Sequence, residues 1–419
     1  MRQLDFCRGL TVMQLNRSAL VSVLVIVIVN PVLHGAGVEN WPKWRGPHGD
    51  GDAGEQQVPL TWSESENILW RADIPGEGNS SPVLYGDRIF LTTADHETQV
   101  QSVVCLNRSH GAPLWKTDVH QGNFVDPKQV HAMCTNASCS AACDGERVFV
   151  TFMNDDAIWT TALDLDGNRL WQRKVADFES QFGYGASPVC QDALVLVAVD
   201  NAPDNVLVAL RADTGEVAWR AQRPAFNSYV TPMVFRVAGQ DMVLLSGSNS
   251  VAAFQLSSGD EIWATETGAQ MAVGSMVTDG ERAFVSGGWP QRTTVCVDAA
   301  TGDVVWQNNA ATYIPSMLVH NGYLYAVTND GIGYCWHAET GREMWRKRLG
   351  GNFSASLTLV NQHILAVNED GVTKVFPASP DELAIVAENE LPGLTRATPA
   401  ICGNRIYFRT DDGLFCIGE

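Results

Sequence analysis

The sequence of 419 residues predicts an all-β protein, an eight-bladed β-propeller made of four-stranded antiparallel blades. Three observations predict it. A glycine followed four residues later by a tryptophan occurs six times, at intervals of 39 to 56 residues, and this period suits a propeller blade. Short runs rich in Val, Leu and Ile alternate with turn residues, and no helical period persists after residue 36. A Ser or Thr also recurs eight times, ahead of the first strand of each repeat.

Residues 1–36 are predicted to be a secretory signal peptide, with Met13 as an alternative start. Three arginines precede an apolar run at residues 19–29, and small residues follow it near Ala36, the predicted cleavage site. The run is shorter than the roughly 20 residues of a membrane-spanning helix, so we expect no transmembrane segment in the mature chain. No cysteine directly follows the run. We therefore predict a periplasmic or secreted protein that is not a lipoprotein.

The mature chain is predicted to consist of an arm and a single propeller. Residues 37–57 are rich in Pro and Gly and should form an extended arm on the outside of the propeller, which spans residues 58–419. The last repeat ends at Glu419, before a fourth strand could form. Residues 61–74 contain Ile-Leu-Trp-Arg, which is similar to the outer strands of other repeats. This segment should complete the eighth blade, so that the ring has no open sheet edge.

Two repeated registers are predicted to hold the blades together. The glycine permits the turn before the outermost strand, and the tryptophan packs its apolar face between adjacent blades. The docking tryptophans are Trp70, Trp115, Trp171, Trp219, Trp263, Trp306 and Trp345. The hydroxyl residues should pack near the axis, where only small side chains fit, and a polar channel for a small ligand is the alternative. These residues are Ser81, Ser140, Ser187, Thr231, Ser275, Ser316, Ser356 and Thr398.

The repeats resemble the pyrroloquinoline-quinone-like (PQQ-like) β-propeller repeat proteins. VALRADTGEVAW, CVDAATGDVVW and CWHAETGREMW are similar to that family's Ala-x-Asp-x-x-Thr-Gly-x-x-x-Trp pattern. NWPKWRGPHGDG also resembles a segment that precedes such propellers in exported bacterial proteins, notably of planctomycetes. The resemblance covers about residues 41–419 and implies the propeller fold. The superfamily includes quinoprotein alcohol dehydrogenases and also a non-enzymatic lipoprotein of outer-membrane β-barrel assembly.

The sequence lacks features that the family's dehydrogenases use. Those enzymes hold PQQ in the propeller axis beneath adjacent cysteines, with calcium bound by Glu, Asn and Asp side chains. This chain has no adjacent cysteines, no Cys-x-x-Cys-His haem motif, no Gly-x-Ser-x-Gly elbow and no phosphate-binding glycine loop. We therefore predict no catalytic, cofactor-binding or metal-binding residue. A PQQ- and calcium-dependent dehydrogenase of alcohols or sugars is the alternative.

One cysteine cluster, Cys134, Cys139 and Cys143, follows His131. Its spacing matches no regular zinc pattern. Buried or loop thiols are the favoured interpretation, and a Cys134–Cys139 disulfide or a metal site are the alternatives.

Charge and surface indicate the class of partner. The net charge of −19 repels phosphate backbones, so we expect no nucleic-acid binding. Aromatic residues and one arginine precede the hydroxyl register and would suit a binding surface at the channel mouth. The predicted function is a non-catalytic exported binding or scaffolding module for a protein, peptide or glycan, similar in role to the assembly lipoprotein. The predicted mouth residues are Tyr184, Tyr229, Tyr313, Phe353 and Arg396.

Overall fold

The computed structural model describes residues 39–200, 205–224, 227–247 and 249–419, and the predicted signal peptide lies outside these ranges. The described residues form eight four-stranded antiparallel sheets arranged as an eight-bladed β-propeller, which confirms the predicted fold class. Their one helical element is the single 3-10 turn Pro127–Gln129. No helix in the described part of the chain is long and apolar enough to cross a membrane.

The blades follow one another along the chain, and each blade is built from hairpin-connected strands. Blades 1 to 4 contain β2–β5 (Val83–Tyr85, Arg88–Asp95, Val100–Asn107, Pro113–Gln121), β6–β9 (Ala142–Cys143, Arg147–Asn154, Ala157–Asp164, Arg169–Asp177), β10–β13 (Val189–Gln191, Leu194–Val199, Val206–Arg211, Val217–Gln222) and β14–β17 (Met233–Val237, Gln240–Gly247, Ser250–Gln255, Glu261–Glu266).

Blades 5 and 8 depart from this plain order. Blades 5 to 8 contain β19, β20, β22 and β23 (Val277–Thr278, Arg282–Gly287, Thr293–Asp298, Val304–Asn308), β24–β27 (Leu318–His320, Tyr323–Val327, Ile332–His337, Glu343–Arg348), β28–β31 (Thr358–Val360, His363–Val367, Val372–Pro377, Ala387–Glu390) and β32–β34 with β1 (Ala400–Cys402, Arg405–Thr410, Gly413–Ile417, Ile68–Ala72). Beside blade 5, β18 (Ala269–Met271) pairs with β21 (Trp289–Pro290) as a separate two-stranded sheet.

The two ends of the propeller sequence close the ring. Strand β1 pairs antiparallel with β34, and Trp70 lies opposite Cys416. The prediction that an N-terminal segment completes the eighth blade is therefore confirmed. Closure leaves no gap in the ring of sheets, because the backbone N–H of Thr398 in blade 8 also donates to the Ser81 hydroxyl ahead of blade 1, at 2.9 Å.

The eight hydroxyl residues form a second closed ring around the axis, which we call the hydroxyl ring. In seven steps of eight, the backbone N–H of one residue donates to the side-chain oxygen of the next, at 2.8–3.0 Å. In the remaining step the Ser275 hydroxyl donates to the Thr231 carbonyl at 3.0 Å. At seven of the eight positions the hydroxyl oxygen is therefore the acceptor for a buried backbone N–H, and a buried donor without a partner is costly.

Each docking tryptophan packs on the turn of the following blade, as Trp171 shows. Its indole nitrogen donates to the Ala212 carbonyl at 2.9 Å, and its ring covers Gly215. Gly215 has a φ of +69°, and a Cβ there would lie 2.6 Å from the indole. Glycine is therefore required at this position for two reasons: the turn is left-handed, and the indole ring leaves no room for a Cβ. The same contact joins Trp70 to Gly111, Trp115 to Gly167, Trp219 to Gly259, Trp263 to Gly302 and Trp306 to Gly341.

A β-bulge precedes the tryptophan in each of the seven outer strands that carry one. In β13, Trp219 pairs with Ala209 and Val217 pairs with Leu210, so that Ala218 is the extra residue. A bulge increases the local twist and makes an edge strand a poor template for another chain. The extra residues are Leu69, Leu114, Leu170, Ala218, Ile262, Val305 and Met344.

The prediction that the arm runs along the outside is wrong for its described residues. Trp41 pairs with Leu84 of the innermost strand of blade 1. Arg45 is 1% exposed and donates to the carbonyl of Met317, next to the innermost strand of blade 6, at 2.9 Å. Burial lowers the pKa of Arg45 to about 10. The arm crosses the axis, where Trp41 is buried against blade 1 and the Arg45 guanidinium finds a carbonyl acceptor beside blade 6.

Candidate partner-binding cavity

A cavity of about 380 Å³ lies on the propeller axis. Six residues of the hydroxyl ring line its middle, and the loops that connect successive blades form its mouth. Trp44 of the arm lines its inner end. This placement follows from the chain direction: the mouth residues precede the hydroxyl ring, whereas the arm contacts Leu84 and Leu359, which follow it. The cavity therefore has an aromatic floor, a hydroxyl-lined waist and a mouth of variable residues.

In every blade, the residue two positions before the hydroxyl residue lines this cavity. We call these eight residues the upper ring: Asn79, Ser138, Gly185, Tyr229, Val273, Ile314, Ser354 and Arg396. Most residues three positions before the hydroxyl residue are instead buried between blades. They are Ala137, Tyr184, Ser228, Ala272, Phe353 and Thr395, all at most 5% exposed. Successive side chains of an extended segment point in opposite directions, so a shift of one position moves a side chain from the cavity to the core.

The prediction of the mouth is wrong for two residues, Tyr184 and Phe353. Tyr184 is 4% exposed, and its hydroxyl donates to the buried Ala198 carbonyl at 2.8 Å. Phe353 is fully buried in the core of blades 6 and 7. Both residues hold the third position before the hydroxyl residue, which faces the core.

Tyr229, Tyr313 and Arg396 line the cavity, and their role in binding stays a prediction. Tyr229 and Arg396 belong to the upper ring. Tyr313 holds the third position, but its ring packs over Gly288, where a Cβ would lie 2.7 Å from the ring. The absence of a side chain at Gly288 gives Tyr313 room to remain half-buried at the cavity wall.

The Tyr229 hydroxyl is buried and has no hydrogen-bond partner among the described residues. Burial raises its pKa, with a smaller contribution from nearby Tyr313, whose pKa burial also raises. Both phenols therefore stay protonated at neutral pH. Each can donate one hydrogen bond to a ligand and present a ring face to an apolar group.

Arg396 is the one cation of the upper ring. Its guanidinium lies 3.9 Å from the Glu369 carboxylate, at the edge of ion-pair distance. Glu369 also accepts a hydrogen bond from the Ser354 hydroxyl. The Arg396 Nε is buried and has no hydrogen-bond partner in the described part of the chain. Arg396 is therefore held at the mouth with hydrogen-bonding capacity to spare.

The repeat pattern did not reveal another group of lining residues, His131, Met133, Cys134 and Phe182. They lie in the long loops that lead into blades 2 and 3, outside the repeated register. Phe182 is 41% exposed, and its ring centroid lies 6.3 Å from that of Tyr229. The length of these loops was the available signal, because Ser138 and Gly185 beside them are small enough to let loop side chains reach the cavity.

The cysteines of the cluster are free thiols in the structure, as the favoured interpretation has it. Cys139 and Cys143 are buried, and Cys134 is half-buried at the cavity wall. The sulfurs of Cys134 and Cys139 each lie 3.8 Å from the Tyr184 carbonyl oxygen. The described residues contain no group of three His, Cys, Asp or Glu side chains that could hold a metal ion.

One known protein family matches the chain across its repeats. The family described as "Outer membrane protein assembly factor BamB" matches residues 55–177, 99–345 and 291–413. The chain belongs to this family of PQQ-like repeat propellers. It is 22% identical over 390 residues to BamB of Burkholderia pseudomallei (strain K96243), covering 85% of this chain and 90% of that one. It is 23% identical over 263 residues to BamB of Bordetella pertussis (strain Tohama I), covering 58% and 62%.

Solved structures of a BamB protein and of two dehydrogenases share the fold. BamB from Moraxella catarrhalis superposes with a TM-score of 0.60 at 14% identity, over 82% of this chain and 97% of that one. A europium-containing methanol dehydrogenase gives 0.66 at 12% identity, over 88% and 89%. The quinohemoprotein alcohol dehydrogenase from Comamonas testosteroni gives 0.65 at 10% identity, over 92% and 82%. At these identities the likeness shows the fold alone.

The residues of the cavity do not fit a calcium-bound quinone. Calcium takes six to eight oxygen ligands, commonly from carboxylates. The described residues that line the cavity include no aspartate and no glutamate. Glu369 stands behind the wall and is engaged by Ser354 and Arg396.

Proposed function

We propose that this protein is a non-catalytic, exported scaffold that binds a partner protein through the mouth of its axial cavity. The upper ring carries the proposal. It combines the aromatic ring and spare phenol of Tyr229 with the spare guanidinium of Arg396 at the open end of a rigid ring, and Tyr313 lies beside them in the cavity wall. Such anchors dominate protein interfaces. The family's description as an outer-membrane assembly factor supports a protein or peptide partner over a glycan.

The proposal includes export without a lipid anchor. The basic start, the apolar run and the small residues near Ala36 support cleavage there, and no cysteine directly follows the run. Mass spectrometry of the mature protein should find an unmodified N-terminus near residue 37. A lipid-modified N-terminus, or retention of residues 19–29, would contradict this part of the proposal.

The experiment that tests partner binding is affinity capture from the cell envelope, with the captured proteins identified by mass spectrometry. Arg396→Ala should reduce recovery of the specific partner about tenfold, whereas Arg169→Ala, an exposed residue on the outside of blade 2, should leave it unchanged. Equal recovery of the partner by both variants would show that the partner does not bind at the cavity mouth. The glycan alternative is tested by a binding assay of the native chain with an oligosaccharide mixture. That alternative predicts saturable binding of an oligosaccharide.

The dehydrogenases that share the fold supply a second candidate function, a PQQ-dependent oxidation of alcohols or sugars. Incubation of the purified protein with PQQ and Ca²⁺ distinguishes the two. Our proposal predicts no stable change in the quinone spectrum and no dye-linked alcohol oxidation. A stoichiometric spectral change with turnover would reject the scaffold proposal in favour of the enzyme.

A further inference from the structure

A second cavity, of about 280 Å³, lies between the arm and the ends of the innermost strands of blades 1, 2 and 3. Tyr85, Cys143 and Gln191 are the last residues of those strands, and all three line it. They follow the hydroxyl ring along the chain, whereas the mouth residues precede it. The backbone N–H of Cys143 donates to the Pro42 carbonyl at 2.7 Å, which holds the arm against blade 2. We call this space, on the side of the hydroxyl ring away from the mouth, the arm cavity.

The arm places a buried lysine in the wall of this cavity. Lys43 is 5% exposed, and it is the only buried lysine of the chain. Its Nζ donates to the side-chain oxygen of Gln191, a neutral acceptor, at 3.2 Å. By contrast, Lys116 is exposed on the outside of blade 1 and forms an ion pair with Asp118 at 2.9 Å. Lys43 therefore differs from a surface lysine in both its burial and its hydrogen-bond partner.

The amine of Lys43 lies near the opening of the arm cavity. Gln191, its acceptor, is half-buried, and the next two residues, Asp192 and Ala193, are exposed and line the same cavity. The Gln191 amide nitrogen also lies 3.4 Å from the Asp192 carboxylate. A small molecule that enters past Asp192 therefore reaches the amine.

Much of the remaining wall is apolar. Pro42, Pro47, Leu194 and Ala212 contribute aliphatic surface, and Tyr85 contributes a ring. A wall of this kind disfavours a charged ammonium group, because the group loses its hydration there. It also offers contact to a short alkyl chain.

The groups that face Lys43 do not restore its ordinary basicity. Burial lowers the pKa of Lys43 and outweighs the effect of three groups that favour the charged form. These groups are Cys190, Asp192 and Asp50. Asp144 also lines the cavity, and it forms an ion pair with Arg147 at 2.9 Å. A larger share of Lys43 than of a surface lysine is therefore neutral at pH 7, and the neutral amine is the nucleophilic form.

The two thiols of the cavity do not compete with the amine. Burial raises the pKa of Cys190 to about 11 and that of Cys143 to about 12. The Cys190 thiol donates to the Cys143 carbonyl at 3.3 Å. The thiolate is the reactive form of cysteine, so both residues stay unreactive at neutral pH. Lys43 is therefore the nucleophile of the arm cavity.

We propose that Lys43 captures a small aliphatic aldehyde as an imine inside the arm cavity. The neutral amine attacks the carbonyl carbon, and the carbonyl oxygen leaves as water with the two protons of the nitrogen. One amine and one aldehyde thus give one imine and one water, with no oxidant or reductant. The imine carries no added charge. A carbamate formed from carbon dioxide would place a negative charge beside Asp144 and Asp192, which disfavours that adduct.

The probe is butanal, with cyanoborohydride present to reduce the imine to a stable butylamine. The purified mature protein is treated at about pH 7, and mass spectrometry of its peptides measures the rate of butylation at each lysine. Lys43 should react at least about tenfold faster than Lys116, because an ordinary lysine is almost fully protonated at this pH. The rate at Lys43 should saturate with butanal, since the aldehyde binds in a cavity first, and the rate at Lys116 should rise linearly.

The pH and two variants sharpen the test. At about pH 10 the two rates should approach each other, because ordinary lysines then also become neutral. Lys43→Arg keeps the positive charge and removes the amine, so the butylated arm peptide should disappear. The matched control Lys116→Arg should leave the rate at Lys43 unchanged. Circular dichroism melting checks that both variants are folded, and the comparison of rates within the native chain does not depend on them.

Two results would overturn the proposal. One is a rate at Lys43 no higher than that at Lys116 near neutral pH, and the other is a rate at Lys43 that does not saturate. Neither result bears on partner binding, because the arm cavity and the mouth lie on different sides of the hydroxyl ring. Capture of the partner by the native chain therefore tests the proposed function separately.

Discussion

Two rings of eight residues surround the propeller axis, only two positions apart along the chain, and they differ in composition. The hydroxyl ring contains only Ser and Thr, whereas the upper ring contains residues as different as Gly185, Tyr229 and Arg396. The hydroxyl ring is uniform because its side chains join one blade to the next by hydrogen bonds. The upper ring has no such contact to make in every blade. Positions that join blades hold the fold, and positions that face the cavity are available for binding.

The largest expected effect tests the positions that join blades. Trp219 is 8% exposed, packs on Gly259 and donates to the Leu256 carbonyl at 2.9 Å. Trp219→Ala removes the ring and leaves a cavity between blades 3 and 4, so urea unfolding should show a loss of about 3–5 kcal/mol. Leu170→Ala, at a bulge position that is 50% exposed, should cost less than about 0.5 kcal/mol. Similar losses for both variants would contradict the docking role.

The hydroxyl ring should show the next largest effect. Ser187→Ala leaves the buried Ser140 N–H without its acceptor, which should lower the free energy of unfolding by about 1–3 kcal/mol. Ser187→Thr keeps the hydroxyl, as Thr231 and Thr398 do in other blades, and should recover most of the loss. A stable alanine variant, or an equally unstable threonine variant, would mean that side-chain volume matters and the hydrogen bond does not.

The stability of the protein should depend on pH because of His120, which lies in the seam between blades 1 and 2. Burial lowers the pKa of His120 to about 4, and Arg169 adds to this. The unfolded chain takes up the proton near pH 6.5 and the folded chain does not, so stability should fall as the pH drops from about 6.5 to about 4. The contribution of this residue should be about 1–2 kcal/mol. His120→Gln should lose that part of the pH dependence. If the difference in the free energy of unfolding between pH 7 and pH 4.5 is the same in this variant as in the native chain, His120 is not its source.

The smallest expected effect compares two tyrosines that differ by one position in their repeats. Tyr184→Phe leaves the Ala198 carbonyl without its donor and should cost about 1 kcal/mol. Tyr229→Phe removes a hydroxyl that has no partner among the described residues and should change stability by less than about 0.5 kcal/mol. Chemical denaturation of the two variants side by side checks this, and the reverse order of losses would contradict the assignment of core and cavity positions.

The sequence was sufficient to predict the architecture because the repeat encodes it in local contacts. The Gly-x-x-x-Trp pattern predicted the docking of Trp171 on the next blade, and the missing strand of the last repeat predicted that β1 closes the ring. Both depend on interactions that recur in each blade. A contact that recurs in each blade can be recognised from the sequence without knowing how far apart its copies lie in the folded protein.

The candidate site was predicted only in part, because its geometry depends on single positions. Tyr184 and Tyr229 look equivalent in the sequence, but one lies three residues and the other two residues before its hydroxyl residue, and this difference reverses the direction of the side chain. Strict counting from the hydroxyl register could have separated them. The arm is different: no repeat constrains it, so the burial of Trp41 and Arg45 against several blades could not be read from composition.

The central claim is that the upper ring binds and does not hold the fold together, and one paired measurement on Tyr229→Ala tests it most directly. Affinity for the captured partner and the free energy of unfolding should be measured on the same preparations of this variant and of the native chain. We predict at least a tenfold loss of affinity with a stability loss of less than about 1 kcal/mol. Unchanged affinity, or a stability loss as large as that of Trp219→Ala, would contradict the claim.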